Sequence, residues 1–332
     1  MGAKRSYTRA GSAIDAGAVL EAPDEVQDLL AAAAREDGRE AVSEQGRLRL
    51  RSDRARPGVV HLVQTGTAAG TPQGEPDGSD GPVGYAQLEL AEAGEGGTAG
   101  GTAELVVHPG RRGRGFGRQL VDAVLAEAGG PVDFWAHGGH PGARHLAREF
   151  GGELVRELRQ MRRSGAAVEE VSLPEGVTLR TFRPGLDDAR WLRLNALAFA
   201  HHPEQGSWTE ADLGDRLAEP WFDPNGFFLA TRGERVVGYH WTKVHPATAD
   251  APALGEVYVV GVDPAEQGGG LGRALTAAGL RHLTGDGPGD RGLETVLLYV
   301  DADNPAAVRV YERLGFTIHE VDLVYRVQTG DR

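Results

Sequence analysis

The chain has 332 residues, 40% of them hydrophobic and 25% charged, which fits a folded protein with room for two ordinary domains. Its net charge of −13 speaks against nucleic-acid binding through bulk charge, and the absence of cysteine excludes disulfides, thiolate metal sites and cysteine nucleophiles. No apolar run reaches the ~20 residues of a membrane helix, and Met1 to Ala10 carries no signal-peptide core. A soluble, cytoplasmic, monomeric protein without membrane or nucleic-acid partners is expected.

The chain reads as two α/β halves. Asp24 to Arg35 is a helix with Val26, Leu29 and Leu30 on one face. Gly58 to Gln64 and Val83 to Leu90 are strands; Thr65 to Pro82 and Ala91 to Gly101, rich in Gly, Pro and Thr, are loops. Each half then runs strand, glycine-rich turn, helix, strand, helix, strand. Ser164 to Gly176 is the linker, so the domains are 1–165 and 166–332. In the second half Leu186 to Phe199 is a helix, and Phe227 to Ala230, Arg235 to Val244 and Glu256 to Val262 are strands. The helix Gly270 to Leu283, strand Thr295 to Val300, helix Pro305 to Leu314 and strand Thr317 to Val327 complete it.

An internal repeat supports this division. Pro109, Gly115, Gly117, Arg118 and Leu120 recur 155 residues on as Pro264, Gly270, Gly272, Arg273 and Leu275. The segment His140 to Gly151 recurs 164 residues on as Asn304 to Gly315. Two matches in the same order indicate duplication. Each glycine-rich turn lies between a Val-rich strand and a helix. Glycines let backbone N–H groups converge without obstruction, and the helix N-terminus adds partial positive charge, so the turn suits a pyrophosphate. It is neither a P-loop nor a dinucleotide fingerprint.

The motifs Arg112-x-x-Gly115-x-Gly117 and Gln267-x-x-Gly270-x-Gly272 resemble the coenzyme A pyrophosphate signature of the GNAT acetyltransferase superfamily. Asn304-Pro-Ala-Ala-Val-Arg-Val-Tyr311-Glu-Arg-Leu-Gly-Phe316 is similar to its last motif. The resemblance implies two tandem GNAT-type domains of α/β (α+β) class, each a mixed central sheet flanked by helices. Phe134 to His137, Phe199 to Gly206, Trp221 to Pro224, Gly238 to Pro246 and Gly255 to Pro264 narrow it to the mycothiol synthase family. That family acetylates the cysteinyl amine of Cys-GlcN-Ins with acetyl-CoA. By this resemblance acetyl-CoA meets Val260, Gly261, Val262, Gln267, Gly268, Gly269, Gly270, Leu271, Gly272, Arg273, Asn304, Pro305, Ala306, Ala307, Val308 and Arg309. In the first half the matching positions are Leu105, Val106, Val107, Arg112, Gly113, Arg114, Gly115, Phe116 and Gly117.

Acetyl transfer to an amine needs a base for the amine, a donor for the charge developing on the thioester oxygen, and an acid for the leaving thiolate. The repeat offsets set Glu256 against Gly101 and Tyr311 against Ala147. The second half therefore holds a carboxylate and a phenol where the first has neither. With the resemblance, Glu256 is the expected base and Tyr311 the expected acid. The first half is read as a non-catalytic copy whose Arg-rich turn (Arg111, Arg112, Arg114, Arg118) still suits acetyl-CoA. The resemblance also implies acceptor contacts at Glu44, Glu204, Lys243, Glu256 and Tyr299. His201, His202, His240 and His245 cluster in sequence without a recognisable ligand spacing, so no metal is expected. No Gly-x-Ser-x-Gly elbow is present, which favours direct transfer. The motifs leave open a tandem acetyltransferase for another amine, and a non-catalytic acetyl-CoA sensor.

Overall fold

A computed structural model describes residues 7–9, 23–51, 58–65, 81–91, 100–165, 168, 171–200, 203–247, 252–285 and 289–329. Most of the expected loops at 65–82 and 91–101, and part of the expected linker, lie outside these residues. In chain order the elements are β1 (Tyr7–Arg9), α1 (Pro23–Asp37), α2 (Glu44–Arg51), β2 (Val59–Gln64), β3 (Gly84–Leu90) and β4 (Gly101–Val107). There follow α3 (Phe116–Ala128), β5 (Val132–Ala136), α4 (Pro141–Glu149), β6 (Glu153–Ser164), β7 (Thr178–Thr181), α5 (Asp188–Ala198) and α6 (Pro203–Gly206). The rest are α7 (Glu210–Leu217), β8 (Phe227–Arg232), β9 (Arg235–His245), β10 (Leu254–Val262), α8 (Leu271–Thr284), β11 (Thr295–Asp301), α9 (Pro305–Arg313) and β12 (Thr317–Val327).

The elements gather into two units, Met1–Glu157 with Val321–Arg332, and Leu158–Glu320. In the first unit the strand order is β1-β2-β3-β4-β5-β12, antiparallel except for the parallel β4–β5 pair. In the second it is β6-β11-β10-β9-β8-β7, antiparallel except for the parallel β10–β11 pair. The sequence reading drew a boundary at 165/166. Strand pairing draws another: Leu158 to Ser164 pairs with β11, and Leu323 to Val327 pairs with β5. Each sheet thus takes a strand from the other half of the sequence. Alternating apolar residues mark a strand but do not name its neighbour, so the exchange left no local signal.

Each unit buries apolar side chains on both faces of its sheet. In the first, Leu120, Val121 and Val124 of α3 pack on Val60, Leu62, Ala86 and Leu88, while Val26, Leu29 and Leu30 of α1 cover Tyr85 and Val106 on the other face. In the second, Leu280 and Leu283 of α8 pack on Val257, Val296 and Leu298. The opposite face carries an aromatic core of Trp191, Phe227, Tyr239 and Trp241. Helix α7 was not foreseen, although its start is written in a reciprocal cap: Thr209 accepts from the Asp212 N–H, and Asp212 accepts from the Thr209 N–H.

Candidate functional site

In the second unit, strands β10 and β11 pair in parallel only from Gly255–Val296 to Val257–Leu298. Beyond that, β10 continues along β9 to Val262, and β11 continues along β6 to Asp301. The two strands therefore part, leaving backbone groups of β10 unclaimed by β11. Asp263 N–H donates to the Val237 carbonyl. By the antiparallel alternation, Val259 and Gly261 bond to β9, while the N–H groups of Val260 and Val262 point into the opening. The first unit repeats this arrangement. There β4 and β5 pair only as far as Ala103–Phe134, and His108 N–H donates to Val83, which turns Leu105 and Val107 into the opening.

Glycine turns follow both strands. Gly268 and Gly270 have φ of +84° and +83°, and Gly113 and Gly115 have +73° and +84°. These left-handed conformations favour glycine. A Cβ on Gly268, Gly270 or Gly113 would meet nothing within 4 Å, so the space before each turn is open to a ligand. The first N–H bonded inside α8 is that of Ala274, to Gly270, so among the described residues the N–H groups of Leu271 and Gly272 are left for an anion. Asn304 caps α9 through the Ala307 N–H. The side chains of Arg112 and Gln267 brace the turns, donating to Val107 and Val262 carbonyls at 3.2 and 3.4 Å. Arg112 is also clamped bidentately by Asp37, at 2.6 and 2.7 Å, and Arg118 pairs with Glu149. The basic appearance of the first turn is thus partly neutralised by its own unit.

Glu256 lies at the apex of the opening, 6% exposed, opposite Lys243 of β9 and Leu297 of β11. Its Oε2 meets His245 Nε2 at 2.6 Å, and among the described residues no group is bonded to Oε1. Directly opposed strand residues share a face, so Glu256, Lys243 and Leu297 face the aromatic side of the sheet. Tyr311 belongs to the other side. It packs against the cluster of Val257, Leu298 and Phe316, and burial pushes its phenol up to about 12. Base and acid candidates thus flank one opening from opposite faces.

Lys243 is buried, its Nζ 4.5 Å from the Trp221 ring centre and 5.1 Å from that of Tyr258. Tyr258 is held in turn by Arg216 Nε at 2.7 Å. Tyr299, 43% exposed, stands on the face of Leu297 and accepts a hydrogen bond from Gln160. Glu204 falls in α6, but its side chain lies outside the described residues. Glu44 opens α2 in the first unit.

The position-by-position comparison of halves needs one correction. The β9–β10 register shifts between Val257 and Val259, a bulge with Tyr258 as the extra residue; β3–β4 has none. Glu256 is opposite Leu297, and 164 residues earlier Asp133 is opposite Thr102. The structural counterpart of Glu256 is therefore Thr102, and that of Gly101 is Gly255. The first unit still lacks the carboxylate.

Sequence reasoning missed a buried network in the first unit. Glu104 accepts from the Ser43 N–H and Oγ at 3.0 and 3.1 Å and meets His137 Nε2 at 3.0 Å. Asp322, from the end of the chain, lies 3.4 Å from His137 Nδ1. Burial alone would lower the His137 pKa, but hydrogen bonds and charge from Asp322 and Glu104 raise it to about 10. No spacing rule joins residues 104, 137 and 322. A cavity of about 600 Å³ adjoins them, lined by Val107, Gly115, Gly117, Trp135, His137 and Ala147. Among the described residues no cluster suited to a metal is found.

The sequence pattern of the Acetyltransferase (GNAT) family matches residues 28–151 and again 191–316. A mycothiol acetyltransferase of Streptomyces coelicolor is 58% identical over 311 residues, 93% of this chain and 93% of that one. One of Streptomyces avermitilis is 55% identical over 325 residues, 96% of this chain and 97% of that one. Among solved structures, a tandem GNAT protein from the clavulanic acid biosynthesis pathway superposes with a TM-score of 0.68 at 18% identity, covering 98% of this chain and all of that one. A GCN5-related N-acetyltransferase from Sphaerobacter thermophilus superposes at 0.61 with 22% identity, covering 97% and 95%. These two likenesses speak for the fold alone.

Proposed function

Because the chain belongs to the mycothiol acetyltransferases, a tandem branch of the GNAT acetyltransferase family, we propose that it acetylates the cysteinyl amine of Cys-GlcN-Ins by direct transfer in its C-terminal half. Acetyl-CoA, when bound, supplies the activated thioester. The residues expected to hold it fit: the turn at Gly268 to Gly270 is open and leads into the N–H groups of Leu271 and Gly272, which no described residue accepts, and Val260 N–H faces the gap between β10 and β11.

The observation that carries the proposal is the placement of Glu256. It is a buried carboxylate at the apex of the opening, with one oxygen tied to His245 and the other bonded to none of the described residues. Glu256 takes the amine proton. The Val260 N–H stabilises charge that develops on the carbonyl oxygen. Tyr311, kept protonated by burial, donates to the departing sulfur. Glu204, Lys243 and Tyr299 are proposed as acceptor contacts within the second unit: carboxylates accept from sugar and inositol hydroxyls, while Lys donates. The first unit, with Thr102 and Ala147 at the reacting positions, is proposed to bind acetyl-CoA without turning it over.

The test is turnover of acetyl-CoA against purified Cys-GlcN-Ins, GlcN-Ins and simple primary amines. A kcat/KM for Cys-GlcN-Ins at least about a hundredfold above that for simple primary amines is expected, as several hydroxyl contacts together give about that discrimination; GlcN-Ins shares those hydroxyls and is expected to turn over more slowly because its amine sits on the sugar instead of on the cysteinyl group that reaches Glu256. Equal rates would assign the enzyme to another amine, and no turnover with any would favour the sensor.

A further inference from the structure

The Lys243 ammonium and the Glu256 carboxylate belong to residues directly opposite each other on β9 and β10, on one face of the sheet. Opposed charges in that position ordinarily pair. Here the carboxylate is bonded to His245 instead, and the ammonium is turned to the rings of Trp221 and Tyr258. The place of Lys243 thus depends on where those rings stand. Tyr258 is the extra residue of the bulge: the register passes from Val257–Thr242 to Val259–Trp241 and skips it. The ladder therefore does not fix its side chain, and contacts from other elements must. Its ring meets Trp221 at 5.0 Å and Trp241 at 5.4 Å. Its hydroxyl is held from α7 by Arg216, a residue 3% exposed. Arg216 Nε donates to that oxygen at 2.7 Å, Nη1 donates to the Asp212 carbonyl at 3.0 Å, and the guanidinium carbon lies 3.7 Å from the Trp208 ring centre. Burying a guanidinium is costly, so its place against Tyr258 calls for a use.

We propose that Arg216 is a positioning residue: through Tyr258 it fixes the aromatic wall that holds the Lys243 ammonium ready for the hydroxyl groups of the acceptor. The inference rests on the reading of Lys243 as an acceptor contact. A guanidinium suits the task because it only donates and stays charged, so its bond to the phenol oxygen has one direction and does not lapse with pH. With that oxygen held, the ring that Lys243 faces cannot turn away. Lysine carries its charge on a flexible stem, and Glu256 opposite is a rival partner for it. An ammonium ordered anew for every acceptor gives up part of its binding energy, whereas one already in place does not. Neither Arg216 nor Tyr258 has to touch the acceptor for this, and no proton changes hands.

The experiment measures the KM values for Cys-GlcN-Ins and acetyl-CoA in the full chain carrying Arg216→Met, Tyr258→Phe or Lys243→Met, and in the two pairs that include Lys243→Met. Methionine keeps much of the arginine stem without its donors. Tyr258→Phe removes one oxygen, so it carries the test if the loss of Arg216 impairs folding. Arg216→Met and Tyr258→Phe are each expected to raise the Cys-GlcN-Ins KM about tenfold, the low end for a hydrogen bond to a charged group. The acetyl-CoA KM should stay within about twofold of wild type. A mere loss of folded enzyme would lower kcat and move neither KM. Lys243→Met should itself raise the Cys-GlcN-Ins KM, and adding either of the other substitutions to it should raise that KM no further. A wild-type Cys-GlcN-Ins KM in Tyr258→Phe, or a further rise of about tenfold on top of Lys243→Met, would overturn the positioning role and leave Lys243 as a contact. A wild-type Cys-GlcN-Ins KM in Lys243→Met would remove that contact and the proposal with it.

Discussion

Glu104 and Glu256 are both buried strand carboxylates bonded to a histidine, yet they are prepared for different work. Glu104 is saturated: Ser43 contributes two donors, and His137 is gripped from its other side by Asp322. Such a group holds elements together. Glu256 keeps one oxygen open among the described residues and so can accept a proton. Replacing it with glutamine should lower kcat by about 10²–10⁴ with little change in acetyl-CoA KM, checked by steady-state kinetics. Tyr311→Phe should lower kcat while the KM for the amine holds. Because burial raises the Tyr311 phenol to about 12, loss of the acid should not limit activity below pH 10. The His137 network predicts a stability profile. His137 rises from 6.5 to about 10 on folding, so its contribution is complete below 6.5 and is lost as pH climbs toward 10. Glu104 and Asp322 are held below 4.5 and 3.8: burial would raise both, but His137, joined by the Ser43 donors at Glu104 and by the Gly138 N–H and Arg39 at Asp322, more than offsets it, so their contribution fades as the medium becomes acid. Thermal unfolding of His137→Gln should differ most from wild type near pH 5–6.5, by about 3–5 kcal/mol, the cost of leaving buried charge unpartnered. A pH-independent difference would refute this.

At the scale of the element, the glycine turns and the helices after them were legible because their chemistry is local: left-handed glycines, a helix start, a preceding strand. Gly270→Ala places a side chain at φ +83°, which costs roughly 1 kcal/mol. It should raise the acetyl-CoA KM, whereas Gly115→Ala at φ +84° should leave turnover intact. Equal kinetic effects would contradict the division of labour between halves. The bulge at Tyr258 was not legible, because one extra residue in a strand of Val and Tyr breaks no pattern. It displaced the sequence comparison by one place, to Gly101 instead of Thr102. A side chain at Gly101 would in any case meet the Glu89 carbonyl at 2.5 Å. The aromatic setting of Lys243 was equally hidden, since Trp221 and Tyr258 come from separate segments.

At the scale of the whole molecule, duplication was visible as two ordered matches, and the GNAT fold followed. A second acetyl-CoA site is expected in the cavity of about 600 Å³ beside Gly115 and Gly117. Calorimetric titration should give two equivalents in wild type and one in Gly115→Glu with turnover retained; a single equivalent in wild type would exclude the first site. What the sequence concealed was the source of the strands, because pairing partners distant along the chain share no motif. The exchange bears on the order in which the molecule can be completed. β5 has one neighbour in β4 and the other in the Leu323–Val327 segment of β12, which leaves the ribosome only after residues 158–320 of the second unit. The first unit therefore stays unfinished until the second has been made, and Asp322 arrives with that strand to close the His137 network. A stop codon at Thr317 would spare every element that precedes β12, yet limited proteolysis should find the damage among residues 100–157.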